Sequence, residues 1–142
     1  MAAQILTNII IRTAVEADLN PLTEFITPFV EERKLLPRTL DELQDLLPTI
    51  FIAEQEGQIV GCAALEIYSW KLAEVRSLAV DKSLQGKGVG RRLVDACLER
   101  ARQKNILEVM AITSSDAFFM SCGFDYTLPG EKRALFMQLR EL

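Results

Sequence analysis

A chain of 142 residues of which 49% are apolar is the size of one ordinary domain, residues 1–142, and can bury one sizeable core. Its net charge of −4 argues against nucleic acid or anionic membrane as a partner of the whole surface. The complete absence of histidine removes the commonest metal ligand, the commonest general base and every Ser-His or Cys-His nucleophile pair, so catalysis has to run on carboxylates, backbone amides and bound water, with no metal expected.

Met1 to Thr7 carries neither a basic start nor a long apolar run, and no apolar stretch reaches membrane-spanning length, so a soluble, cytoplasmic protein is expected. The β-branched stretch NIIIRTA, Asn8 to Ala14, reads as a first strand. A helix is expected from about Asp18, broken or kinked at Pro28, because an interior proline loses a backbone bond and crowds the preceding turn. In RTLDEL, Thr39 and Glu42 stand at capping-box spacing, which predicts a short helix after Thr39 that stops at Pro48.

Ile50 to Tyr68 is two apolar runs divided by Glu56-Gly57, the pattern of a β-hairpin. AEVRSLAV, Ala73 to Val80, reads as a further strand, with Val75 alternating against Ser77. Val89, Leu93, Cys97 and Ala101 then recur every fourth residue, while Arg91, Arg92, Asp95, Glu99 and Arg102 fall largely off that stripe, which predicts a helix with one buried face. Ile106 to Thr113 reads as another strand, SDAFFMSCGF as a short helix ended by Gly123, and Ala134 to Leu142 as a final strand. The class is therefore mixed α/β, in α+β layers. Cys62, Cys97 and Cys122 lie far apart in apolar surroundings and read as reduced packing residues.

The charge is unevenly distributed: residues 76–104 carry eight basic and three acidic side chains, a balance of +5 against −9 in the rest. That basic segment holds Gly86, Gly88 and Gly90 against the start of the striped helix. A helix start offers unpartnered N–H groups and the positive end of the helix dipole, and glycines let an anion approach those amides. A P-loop fails here, because Lys87 is followed by Gly88 and no hydroxyl stands ready for magnesium; a dinucleotide fingerprint fits poorly, because the spacing is G-x-G-x-G and falls late in the chain.

Gln85, Gly88 and Gly90 instead satisfy a pattern of Gln or Arg, two residues, Gly, one residue, then Gly or Ala. With strand, loop and helix in order, VRSLAVDKSLQGKGVGRRLVDACLERA resembles motif A of the GNAT superfamily of acyl-CoA N-acyltransferases, and IIIRTAVEADLNPL and DAFFMSCGF resemble the family's first and late segments. The resemblance implies a mixed, mostly antiparallel sheet with a splayed strand pair, flanked by about four helices. It also implies acetyl-CoA as cosubstrate. Its pyrophosphate would lie on the amides of Gln85, Gly86, Lys87, Gly88, Val89 and Gly90 with Arg91 beside them, and its pantetheine arm along Leu78, Ala79 and Val80. Glu74 matches the family's general base, and an amide near Leu78 would stabilise the thioester oxyanion. The family's late-helix tyrosine, a proton donor to the leaving thiolate, is Phe119 here.

KLLPRTLDEL, AEVRSLAV, Phe118-Phe119 before CGF, and LPGEKRALFMQL further resemble amino-acid acetyltransferases of the N-acetylglutamate synthase type, as a stand-alone short form. That implies a small acidic amino acid, glutamate first, as acceptor, with Arg38 as a substrate contact and Arg76, Lys71 and Arg133 as further cations for its carboxylates. A homodimer is left open. Two other readings remain: a non-catalytic acyl-CoA-binding module, for which Phe119 speaks, and an acetyltransferase acting on a protein N-terminus or lysine.

Overall fold

The computed structural model describes residues 8–126 and 134–141. Five strands form one sheet in sequence order: β1 (Ile9–Thr13), β2 (Ile50–Gln55), β3 (Gln58–Ser69), β4 (Leu72–Val80) and β5 (Glu108–Met110). The first three pairings are antiparallel, and β4 with β5 is parallel. Two helices, α1 (Leu19–Glu31) and α2 (Leu40–Leu46), intervene between β1 and β2; α3 (Val89–Gln103) makes the crossover from β4 to β5, and α4 (Asp116–Ser121) follows β5.

The local signals act as expected in most places. Thr39 Oγ1 accepts from the Glu42 amide at 3.1 Å while the Glu42 carboxylate accepts from the Thr39 amide at 3.2 Å, a complete capping box that starts α2. Glu56 and Gly57 both take positive φ, 50° and 77°, the backbone that a two-residue turn needs to match the twist of β2 and β3. Pro28, however, lies within α1 and does not end it. It falls in the last turn, on an exposed face with Glu24, so only the bond to the Glu24 carbonyl is forgone and water can serve that oxygen.

Two cores lie on opposite faces of the sheet. On one, Val89, Leu93, Val94, Cys97 and Ala101 of α3 pack on Phe51, Ala63, Leu65 and Val75. Each such aliphatic side chain contributes about 1.5–3 kcal/mol when fully buried. On the other face, Leu22, Ile26 and Phe29 of α1 and Leu43 of α2 cover Ile50, Ile52, Cys62 and Ala64. Cys62 and Cys97 are free and buried, and burial pushes both thiols up to about 12, so neither is a nucleophile at neutral pH.

Two expected strands change. The one at 106–113 shrinks to Glu108–Met110, because β5 leaves the ladder as it diverges from β4. The final strand does not form: residues 134–141 carry no strand, and Leu135, Phe136, Met137 and Leu139 are exposed. A strand needs a partner ladder, and three-residue β5 offers few bonds to one.

At the base of the sheet, Arg12 grips Asp18 with two bonds of 2.7 and 2.8 Å, and the Val15 amide donates to the same carboxylate at 2.7 Å. Asp18 is 7% exposed. The hydrogen bond from Arg12 outweighs desolvation and holds the Asp18 carboxyl below its ordinary range. Its contribution is therefore present above the unfolded carboxylate pKa of about 4 and is lost as pH falls through the lower folded value. Asp18→Asn is expected to lower the unfolding free energy by about 2 kcal/mol at pH 7 and by clearly less near pH 3, read from urea midpoints at the two values. An equal deficit at both would refute the pairing.

Candidate active site

The parallel ladder between β4 and β5 lasts only from Leu72–Glu108 to Glu74–Met110. Beyond Glu74 the strands part, and among the described residues the β5-facing edge of β4 from Val75 to Val80 has no strand partner. The gap is an open cleft of about 1720 Å³. A pocket for one small ligand is commonly about 300–1,000 Å³, so the cleft has room for a long cofactor and a second molecule together.

One wall is β4, and the other is Met110, Ile112, the 113–115 loop and the rings of Phe118 and Phe119. One end is the glycine loop. Gly86 and Gly88 take φ of 77° and 88°, and a Cβ at either would meet nothing within 4 Å, so the space beside both residues is open. Gly88 is the N-cap of α3 and supplies no side-chain cap, which leaves the first amides of that helix without a side-chain acceptor. Gly90 works otherwise than expected. A Cβ there would stand 3.3 Å from Phe118 Cζ, so this glycine admits an aromatic wall of the cleft rather than an anion.

Of the cofactor positions expected from sequence, Leu78, Ala79, Val80, Gln85, Gly86, Gly88, Gly90 and Arg91 line the cleft. The Val89 side chain is buried in the core and offers only its amide, and Lys87 is exposed outside the lining. Gln85 Nε2 donates to the Val80 carbonyl at 3.0 Å and ties the loop to the end of β4. Arg92 donates to the Ile9 carbonyl at 3.0 Å and is tied to β1.

The other end holds charge. Glu74 is 6% exposed, stands at the last rung before the splay, and accepts from the Tyr68 hydroxyl at 2.6 Å. Burial and that bond push the Tyr68 phenol up to about 12, so it stays a donor. Glu66, opposite Glu74 in register, accepts from Arg76 at 3.0 Å and Arg38 at 3.4 Å. Arg38 and Arg76 thus line the cleft, but each already spends bonds on Glu66. Lys71 lies outside, on the turn between β3 and β4, with its ammonium 5.5 Å from the Trp70 ring centre. Arg133 lies outside the described residues.

Sequence reasoning missed Tyr68, Glu66 and Arg33. Arg33 lines the cleft and makes no ion pair among the described residues, and only the position of the α1–α2 loop reveals it. Phe119 packs edge-on against Phe118 and Phe124 with ring centres 5.1 and 5.3 Å away, an apolar wall where the family commonly has a tyrosine. Tyr126 donates to Asp116 and does not line the cleft.

Within β4, Arg76 pairs with Ala64 but Ala79 with Cys62, so Ser77 and Leu78 together oppose Ala63. This bulge interrupts the alternation expected through Ser77 and carries Ala79 to the face opposite Val75. Ser77 takes φ of 54°, which costs a non-glycine residue about 1–2 kcal/mol.

Residues 16–124 match the model of the acetyltransferase (GNAT) family. The chain belongs to that family. This GNAT chain is 32% identical over 114 residues to an uncharacterized N-acetyltransferase of Chlorobaculum tepidum, covering 80% of this chain and 74% of the relative. It is 30% identical over 118 residues to an amino-acid acetyltransferase of Mycobacterium tuberculosis, covering 81% and 67% of the two. Among solved structures, a Mycobacterium tuberculosis protein in complex with CoA and NLQ superposes with a TM-score of 0.77 at 28% identity, over 88% of this chain and 76% of that one. N-acetylglutamate synthase from Neisseria gonorrhoeae, complexed with coenzyme A and N-acetyl-glutamate, gives 0.72 at 30% identity over 80% of this chain; the GNAT chain spans only 27% of that longer protein. Five strands in order and four helices are the GNAT fold, and the activity class is acetyl transfer to an amino group.

Proposed function

We propose that residues 1–142 act as one acetyltransferase domain that moves the acetyl group of acetyl-CoA to the amino group of a small acidic amino acid, glutamate first, in the cytoplasm and at the head of arginine biosynthesis. The observation that carries the reading is the splayed cleft, with open glycine amides at one end and a buried carboxylate among arginines at the other.

The residues present suit acetyl-CoA. Gly86 and Gly88 leave unfilled space at the start of α3, and the dipole of that 15-residue helix favours a diphosphate there. The edge of β4 beyond Glu74, unpaired among the described residues, offers peptide groups to an amide-containing arm. Bound, it supplies the thioester that the amine attacks.

The chain's own residues supply the rest. Glu74 takes the proton that an ammonium acceptor must lose, directly or through one water, and the Tyr68 hydroxyl fixes which of its oxygens stays free. The Leu78 amide, at the bulge, is the assigned donor to the developing oxyanion. Phe119 and Phe118 exclude water from the opposite wall and bring it no proton donor. Arg33, Arg38 and Arg76 set a positive potential about the acceptor's carboxylates, and Arg33 makes no ion pair among the described residues.

Incubating the purified protein and acetyl-CoA with each of the twenty amino acids, and with peptides bearing a free N-terminus or a lysine, tests this by thiol release. Glutamate is expected to turn over fastest. Arg33→Ala is expected to raise its KM about tenfold with kcat nearly unchanged, the mark of a contact made equally in ground and transition states. Peptides outrunning every amino acid would overturn the acceptor assignment, and CoA binding without thiol release from any amine would make the protein an acyl-CoA-binding module.

A further inference from the structure

Ser77 is a serine in a conformation suited to glycine, in the middle of a nine-residue strand. Its own chemistry does not select that backbone; two contacts from elsewhere do. Arg38 Nε donates to Ser77 Oγ at 2.9 Å across 39 residues of sequence, and Cys62 Sγ donates to the Ser77 carbonyl at 3.3 Å. The Arg38 side chain is only 6% exposed, and its far end rests on Glu66 at 3.4 Å and Glu42 at 3.9 Å. Glu66 is itself held by Arg76, the residue that precedes the bulge. The guanidinium is thus fixed at both ends before it reaches the strand.

We propose that Arg38 is a positioning residue that acts through Ser77 Oγ to keep β4 bulged. The bulge decides which way the peptides of Leu78, Ala79 and Val80 face, and these line the cleft beside the glycine loop. Arg38 stands just before α2, in the segment that closes the acceptor end. Order at the acceptor end is therefore transmitted along β4 to the end beside the glycine loop. The consequence for catalysis rests on the acetyl-transfer reading, whereas the bulge lock itself does not.

Hydrogen exchange of residues 76–80 in the ligand-free protein tests the lock, with thermal melts confirming that each variant is folded. Ser77→Ala keeps the strain and loses the acceptor; Ser77→Gly loses the acceptor and relieves the strain. Ser77→Ala and Arg38→Lys, whose ammonium cannot bond Ser77 and Glu66 as a fork, are each expected to speed exchange there about tenfold, with α1 and α3 unaffected. Ser77→Gly is expected to stay near the wild type, and Arg38→Lys in the Ser77→Gly background to add less than about twofold. With an active acceptor, the Ser77→Gly background should remove part of the kcat loss that Arg38→Lys causes in the otherwise wild-type chain, the remainder reflecting the charge of Arg38 at the acceptor's carboxylates. Equal effects of Arg38→Lys in both backgrounds, or none on exchange, would overturn the proposal. Should no amine be acetylated at all, the acetyl-transfer reading falls while the exchange rates still decide the lock.

Discussion

Glu74→Gln is expected to lower kcat about 10²–10³-fold at pH 7, the usual span of a lost general base, while the Kd for CoA stays within about twofold. Glutamine keeps the size of the side chain, and its amide oxygen still accepts from Tyr68, so the fold and the 2.6 Å contact have no reason to change. What is lost is a site for the proton. The α-amino group of a free amino acid, beside its own carboxylate, holds its proton more tightly than a peptide N-terminus with pKa of about 8. The acceptor is therefore almost wholly ammonium at pH 7 and gains free amine steeply towards pH 9.5, where the base matters less. The deficit should therefore shrink across that interval. A deficit that is flat from pH 6 to 9.5, with CoA binding intact, would leave Glu74 a buried structural carboxylate at the mouth of the splay.

Gly88→Val is expected to weaken CoA binding at least about 100-fold, measured by calorimetry, without unfolding the protein. Two effects act together at this position. A β-branched residue at φ of 88° is strained, and its methyls would fill the space beside the N-cap of α3, which is open now. Gly57 provides the control. It has φ of 77° and the same empty surroundings, but sits in the β2–β3 turn away from the cleft. Gly57→Val should cost similar stability, about 1–2 kcal/mol, and leave CoA binding alone. If the two variants bind CoA equally well, the glycine loop is merely a turn and the cofactor site lies elsewhere.

Glu74 and Gly88 were both named before any coordinates, on different grounds. A glycine pattern against a helix start is a statement about neighbouring φ angles and helix-start amides, whereas the role of Glu74 is what the resemblance to the family's motif implies. Local physics also marks the Thr39–Glu42 cap, the Glu56-Gly57 turn and the four-residue stripe on α3, because spacing of 3.6 or 2 and the sign of φ are properties of short segments. The failures were also instructive in kind. Ala134 to Glu141 has a strand's composition, but a strand is a relation between two segments, and among the described residues no strand pairs with it. Lys71 had the charge for a substrate contact, but the β3–β4 turn aims it at Trp70.

By itself, then, the sequence determined most of the elements that form, their order, the glycines at the start of α3 and the family. The tertiary structure alone decided that Tyr68 meets Glu74, that Arg33 reaches the cleft, that Phe118 fills the space at Gly90, and that Arg38 closes on Ser77 from 39 residues away. Those contacts depend on cross-strand register, on a one-residue bulge and on where β4 and β5 part. Register is set by the combined packing of both faces of the sheet, and no short segment contains that sum.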